Sequence, residues 1–431
     1  MKSSTLSFSL LAAAWLASLT IGTANPAFAQ IAPRWPHVVV PASSLERSED
    51  RGMRSHTNIL ILHPPASIAP AAKFGPMAGT PAPGTFYETP ASIGCLYKLT
   101  KLVKGCNPNT VTANPTGGFG AIAIVDAFDY PTAAADLATF STQFGLPVPT
   151  SKTFSVVYAS GTKPPQDPTG GWELEEALDI EWAHAMAPGA QIILVEARSN
   201  NNSDLFNAVT KAAALVNAAG GGEVTMSWGG AEFSGETSSD SLFVESGVVF
   251  FASTGDSQGT IYPSTSPNVV AAGGTTISRN PITGLFQAEL AWNSAGGGPS
   301  TVEHRPSYQN GIESVVGNAR GVPDLSFDAD PVTGVLVLDS IPVANEGGGP
   351  NTWWILGGTS VSSPALAGIV NAAGSKNTSS EAELTEIYNN LGTVDFADTI
   401  KGSCYFYDGY LAVKGWDFCT GVGSVKGKVG K

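Results

Sequence analysis

The feature that most restricts how this chain can fold is a series of short, largely apolar runs separated by longer stretches of helical periodicity. Ala121–Val125, Gln191–Val195, Val224–Trp228 and Val248–Ala252 are such runs, with weaker ones at Val269–Ala272 and Gly334–Leu338. Helical patterns lie between several of them, notably Trp172–Ala187, Asp204–Ala219 and Ser360–Ala373. A strand covered on both faces reads as a continuous apolar run rather than an alternating one. Strands alternating with helices build a mostly parallel central sheet with helices on both faces, so the expected class is α/β. In such sheets chemistry gathers at the carboxyl ends of the strands. Glycine clusters at Gly220–Gly222, Gly296–Gly298 and Gly347–Gly349 lack the Lys-Ser/Thr of a phosphate loop and read as turns.

The flanks of this pattern divide the chain. Lys2, an apolar stretch from Leu6 to Leu19 and the small-residue signal Ala27-Phe28-Ala29 predict a signal peptide over residues 1–29, and with it a secreted protein, extracellular or periplasmic. Residues 30–62 read as a short N-terminal segment containing the apolar patch Asn58–Leu62. Residues 63–87 are rich in Pro, Ala and Gly, which is linker composition, and 88–431 form the main domain. No later run reaches the ~18 apolar residues of a membrane span. A net charge of −14 argues against a nucleic-acid partner, because no basic stripe is present to neutralise phosphates. The same acidic balance suits a protein working in acid. In an oxidising compartment the local couples Cys95/Cys106 and Cys404/Cys419 are expected as disulfides. Neither couple has the spacing of a zinc site.

The stretch Gly357-Gly358-Thr359-Ser360-Val361-Ser362-Ser363-Pro364 follows the apolar run Trp353–Leu356 and opens a helix. A glycine-mediated entry places the Ser360 hydroxyl at the helix N-terminus, where unpaired N–H groups can hold an oxyanion. Pro364 is expected in the first turn, where no intrahelical N–H is lost. A serine nucleophile needs a base. The five histidines are His37, His56, His63, His184 and His304, and the first three lie in the N-terminal segment or linker. His184 sits on a largely apolar helix end and reads as a structural histidine. A His-dependent hydrolase would require it beside Ser360.

Acids supply another base. Glu175 and Asp179 are spaced i, i+4 and stack on one helical face. Adjacent carboxyls raise one pKa and can share a proton, which suits a base working below neutrality; the alternative is a solvated acidic face. A third acid, Asp256, follows the Val248–Ala252 strand.

Together these positions resemble the sedolisin, or serine-carboxyl, peptidases over about residues 88–427. Glu175 and Asp179 match the Glu-x-x-x-Asp pair, Gly255-Asp256 the oxyanion segment, and Gly358-Thr359-Ser360 with Pro364 the nucleophile motif. Gly357 stands where that motif usually has Ser. Ala187-Pro188-Gly189-Ala190, Ser227-Trp228-Gly229, and Pro323-Asp324 with Ala329-Asp330-Pro331 are also similar. The resemblance implies a subtilisin-like fold and an acid-acting endopeptidase on polypeptide substrates, expected to be a monomer. In it Ser360 is the nucleophile, Glu175 the base, Asp179 its partner and Asp256 the oxyanion donor. Asp126 and Trp228 would extend the hydrogen-bond chain behind the acid pair. It also implies a Ca²⁺ site built from the carboxylates of Asp398 and Asp417 and the carbonyls of Thr399, Val413 and Gly415, an all-oxygen set suited to that ion. Family precursors carry a long folded prosegment, whereas residues 30–87 here leave room for a reduced one. A catalytically silent binding protein on the same fold is the alternative from another class; it has no need of all four catalytic positions.

Overall fold

The computed structural model describes residues 37–64, 87–100, 106–374, 377–405 and 409–428. The expected signal peptide and most of the Pro/Ala/Gly-rich stretch lie outside these residues.

The four strong apolar runs become adjacent parallel strands. Across the main sheet the order is Phe396–Ala397, Ser424–Val425, Leu325–Asp328, Val270–Arg279, Val248–Ser253, Gly222–Met226, Ala121–Ala127, Gln191–Ala197 and Phe154–Tyr158, with Phe286–Ala291 paired beside Val270–Arg279. Pairing is parallel from Ser424–Val425 through to Phe154–Tyr158. The Phe286 and Phe396 strands are antiparallel. In Ala121–Ala127 alternate side chains serve two cores: Ile122 and Ile124 join one, Ala121, Ala123 and Val125 the other. The helices Ala133–Phe144, Gly171–Met186 and Thr359–Ala373 cover the first face, and Asn202–Ala218 covers the second. Both faces of the sheet are therefore removed from water, which is why its strands can be largely apolar.

The run at Gly334–Leu338 behaves differently. As Val335–Asp339 it pairs antiparallel with Thr352–Gly357 in a separate four-stranded sheet. That sheet is completed by His37–Val39 and Leu60–His63 from the N-terminal segment. Residues 55–62 are thus packed into the body of the molecule, with Ile59 and Ile61 fully buried in the larger core. Both cysteine couples form disulfides, Cys95–Cys106 and Cys404–Cys419. No helix among the described residues is long and apolar enough to cross a membrane.

Candidate active site

Two buried helices set the site. Every residue of Gly171–Met186 is buried, including Glu173, Glu175, Glu176, Asp179 and Glu181. Its acids are therefore not a solvated face. The helix lies against Thr359–Ala373 with almost no space between them: a Cβ added at Gly368 would meet Met186 Cβ at 2.7 Å and Ala183 O at 3.0 Å. Small residues at this crossing bring Ser360 down onto Glu175.

The nucleophile helix is entered through Gly358, at φ +107°, where an L side chain would be strained. Gly357 is equally constrained: a Cβ there would sit 2.3 Å from Pro331 N and 2.7 Å from Ala329 O, so the serine usual at that place would not fit this backbone. Pro364 lies inside the helix rather than in its first turn. The expectation fails because the helix begins at Thr359, and the consequence is local. Without an N–H at Pro364 the Ser360 carbonyl lacks its i+4 donor, and it faces Ser227 Oγ at 3.3 Å, a hydroxyl whose shorter bond goes to Asp179.

Ser360 Oγ donates to Glu175 Oε2 at 2.9 Å, with the Ser227 carbonyl a second acceptor at 3.1 Å. Behind Glu175, Asp179 accepts from Ser227 Oγ at 2.8 Å and is hydrogen-bonded to Glu175. Glu175 Oε1 and Asp179 Oδ2 are buried and accept from no donor, which favours a proton held between the two neighbouring carboxyls. Burial pushes both well above the usual carboxylate range, and for Glu175 the neighbouring Asp179 and Asp126 add to it. Among the described residues no cation offsets this charge.

Asp256 approaches from the Val248–Ser253 strand. Its Oδ1 accepts from Thr359 N at 2.7 Å and Thr359 Oγ1 at 2.9 Å. Although the residue is partly exposed, Oδ2 is enclosed and unpartnered. Desolvation raises its pKa to about 7 against the pull of those donors. Below neutrality Asp256 is therefore a neutral acid with an O–H to donate.

Two expected contacts differ. Trp228 Nε1 donates to the Val125 carbonyl at 2.7 Å, so Trp228 does not reach the acid pair. Asp126 lies behind Asp179 with both oxygens unpartnered, raised by burial and by Asp179 and Glu196. His184 Nε2 pairs with the Pro147 carbonyl at 2.8 Å and burial lowers its pKa. It is nine positions beyond Glu175 on the same helix, ~13 Å at ~1.5 Å per residue, and the Ser360 hydroxyl is taken by Glu175.

Four participants were not among the sequence candidates. Ser227 supports Asp179, Thr359 holds Asp256, and Ser253 and Asn58 face each other across the cleft. Ser227 lay in a stretch already similar to the family. Asn58 carried no local signal, because its partner Ser360 is 302 positions away.

The C-terminal loop is tied to one turn by its acids. Asp398 Oδ2 accepts from Gly415 N at 3.0 Å, and Asp417 Oδ2 from Val413 N at 2.9 Å. Asp417 Oδ1 accepts from Cys419 N and Thr420 N, both at 2.9 Å, beside the Cys404–Cys419 bridge. Among the described residues no cluster of three or more His, Cys, Asp or Glu side chains could hold a metal. Any cation here would therefore draw on backbone carbonyls beside the two carboxylates. That donor set is all oxygen and fits Ca²⁺.

This architecture is a subtilisin-like α/β fold. Pseudomonas sedolisin, a serine-carboxyl proteinase solved with two molecules of pseudo-iodotyrostatin, superimposes with a TM-score of 0.64 at 22% identity, over 80% of this chain and 96% of that one. Sphericase superimposes at 0.50 and 18% identity, over 79% and 99%. In sequence the chain is 32% identical to kumamolisin of Bacillus sp. (strain MN-32) over 67% of its length and 55% of the relative's. It is 26% identical to sedolisin of Pseudomonas sp. (strain 101) over 75% and 60%. The chain is a homologue of the sedolisins. It spans a little over half the length of these relatives. No family model matches it.

Proposed function

We propose that this protein is a secreted serine-carboxyl endopeptidase that hydrolyses peptide bonds of polypeptide substrates in acid. The observation that carries the reading is the 2.9 Å hydrogen bond from Ser360 Oγ to Glu175, whose carboxyl, backed by Asp179, stands where a His-dependent hydrolase has its base. Glu175 takes the hydroxyl proton as Ser360 attacks the carbonyl, then returns it to the leaving amine. Asp179 shares the pair's remaining proton and fixes the orientation of Glu175. The Ser360 N–H and the protonated Asp256 donate to the tetrahedral oxyanion. Water then hydrolyses the acyl-enzyme by the same proton path. A carboxyl pair in place of His moves the working range to acid, and ionisation of Asp256 above about 7 removes a donor and places a negative charge beside the oxyanion.

The catalytic domain is proposed to act as a monomer stabilised by Ca²⁺. The carboxylates of Asp398 and Asp417 and the carbonyls of Thr399, Val413 and Gly415 would hold the ion. The two backbone-to-carboxylate bonds that gather these groups round one turn support this. When bound, the ion neutralises that acidic turn; it takes no part in the reaction.

The test is cleavage of a denatured protein from pH 2.5 to 9 by the wild type and by Ser360→Ala. Activity confined to acid and abolished in the variant is expected. A neutral or alkaline optimum would overturn the assignment of Glu175.

A further inference from the structure

The chain's own N-terminal segment crosses the site just described. His56 and Thr57 pair antiparallel with Gly229 and Trp228 on one side of Ser360. Leu60 and Ile61 pair antiparallel with Gly357 and Leu356 on the other. Adding a strand to an exposed sheet edge is a general way of binding an extended peptide. Here two edges grip one extended stretch, with Asn58 and Ile59 at the crossing.

At that crossing the backbone of Asn58 is held by Ser360 on both its polar groups. The Ser360 N–H donates to the Asn58 carbonyl at 3.1 Å, and the Asn58 N–H donates to Ser360 Oγ at 3.2 Å. The Asn58 carbonyl oxygen and the unpartnered Asp256 Oδ2 crowd the same spot: a Cβ built on Gly358 would lie 2.1 Å from the first and 2.5 Å from the second. The Asn58 carbonyl thus sits between the two groups argued above to hold an oxyanion. The side chain enters a closed pocket, where Asn58 Nδ2 donates to Ser253 Oγ at 2.7 Å. Asn58 and Ile59 are 1% and 0% exposed, so the bond between them is held in one place rather than sampled by a loose loop.

We propose that Asn58–Ile59 is the enzyme's own first cleavage site, and that Ser253 makes the pocket selective for a carboxamide side chain on the acyl side of the bond. The proposal rests on the peptidase reading. Ser360 Oγ bonds to the Asn58 carbonyl carbon while its proton passes to Glu175. The Asn58–Ile59 C–N bond breaks and Glu175 protonates the Ile59 amine. Water, giving a proton to Glu175, then cleaves the ester, leaving a carboxyl on Asn58 and restoring Ser360. One water is consumed for one peptide bond. The new amine remains in the sheet through Leu60–His63, so it can re-form the bond until residues 37–58 leave. Those residues are held by Ser55 to Asn200 and Asn202, by Arg51 to the Glu232 carbonyl and by the His56–Thr57 pairing.

The test is to transfer the full chain from pH 7.5 to pH 4 and follow intact mass and N-terminal sequence, over a hundredfold range of protein concentration. A new N-terminus at Ile59 is expected, with first-order kinetics independent of concentration and no cleavage in Ser360→Ala. Processed enzyme should also cut a synthetic peptide of residues 53–63 at the same bond, at least tenfold faster than its Asn58→Leu counterpart. Ser253→Ala should erase most of that ratio, a readout that survives even if changing Asn58 in the chain impairs folding. An intact Asn58–Ile59 bond in a chain that digests added denatured protein would overturn the proposal and leave the peptidase reading standing. A chain that stays whole and digests nothing would overturn both. A ratio unchanged in Ser253→Ala would overturn the role of Ser253.

Discussion

Two groups of buried acids, in different parts of the molecule, solve the problem of a desolvated carboxylate in opposite ways. Asp324, at the start of the Leu325–Asp328 strand, is met by the fully buried Arg320 through two charge-assisted hydrogen bonds, 2.7 Å to Oδ1 and 2.5 Å to Oδ2. Tyr388 Oη and the Ala271 N–H complete its shell at 2.7 and 2.8 Å. Around the Gly171–Met186 helix, Glu175, Asp179, Asp126 and Glu176 face one another with no cation among their hydrogen-bond partners, and several of their oxygens have no donor. The first arrangement fixes a charge; the second fixes protons. A permanent ion pair holds structure in place, whereas a carboxyl whose proton is easily gained and lost can serve as an acid or base.

The largest expected effect comes from spoiling the proton-bearing group. Glu175→Gln keeps the shape and removes the base, and kcat should fall by about 10³-fold or more while the fold, followed by circular dichroism, persists. A fall of less than tenfold would mean that Ser360 is activated by something else.

Spoiling the charged group should cost stability instead. Arg320→Met leaves Asp324 buried without its cation, at about 3–5 kcal/mol, read as a lower midpoint in urea. Activity per folded molecule should be unchanged.

The comparison is sharpened by pH. Desolvation raises Glu173 and Asp339 to about 8 and Asp256 to about 7. An acid whose folded pKa is raised binds its proton more tightly when folded. Its stabilising contribution is whole below the ordinary carboxyl pKa of about 4 and is lost as pH rises through the folded value. Tm should therefore fall between pH 4 and 8, by about 5 °C or more for a domain of this size. A flat or rising profile would show that these acids are already ionised in the folded protein.

The smallest effect concerns Asp398 and Asp417, which would join the cation-compensated group if Ca²⁺ is bound. At tenfold over its dissociation constant the ion contributes about 1.4 kcal/mol, so chelation should lower Tm by about 2–4 °C and added Ca²⁺ restore it. Asp417→Asn should abolish the response.

Much of this was legible in the residues themselves. Continuous apolar runs can be satisfied only where water is excluded on both sides, so Ala121–Val125 and its counterparts announced a doubly covered sheet. The i, i+4 spacing of Glu175 and Asp179 put them on one helical face whatever surrounded it, and the Gly358 entry placed Ser360 at a helix start. These are consequences of local geometry, which travels with the sequence. Whether that acidic face met water or a second helix depended on Gly368 admitting close contact, and that is a property of two segments nearly 200 positions apart. The same holds for Pro364, whose missing N–H mattered through Ser227, and for Gly334–Leu338, which looked like another parallel strand and joined a different sheet. Asn58–Leu62 read as an apolar patch in a detached segment. Only the fold, by offering it two free sheet edges either side of Ser360, made it an occupant of the cleft, because strand pairing is satisfied by any backbone and leaves little trace in side chains.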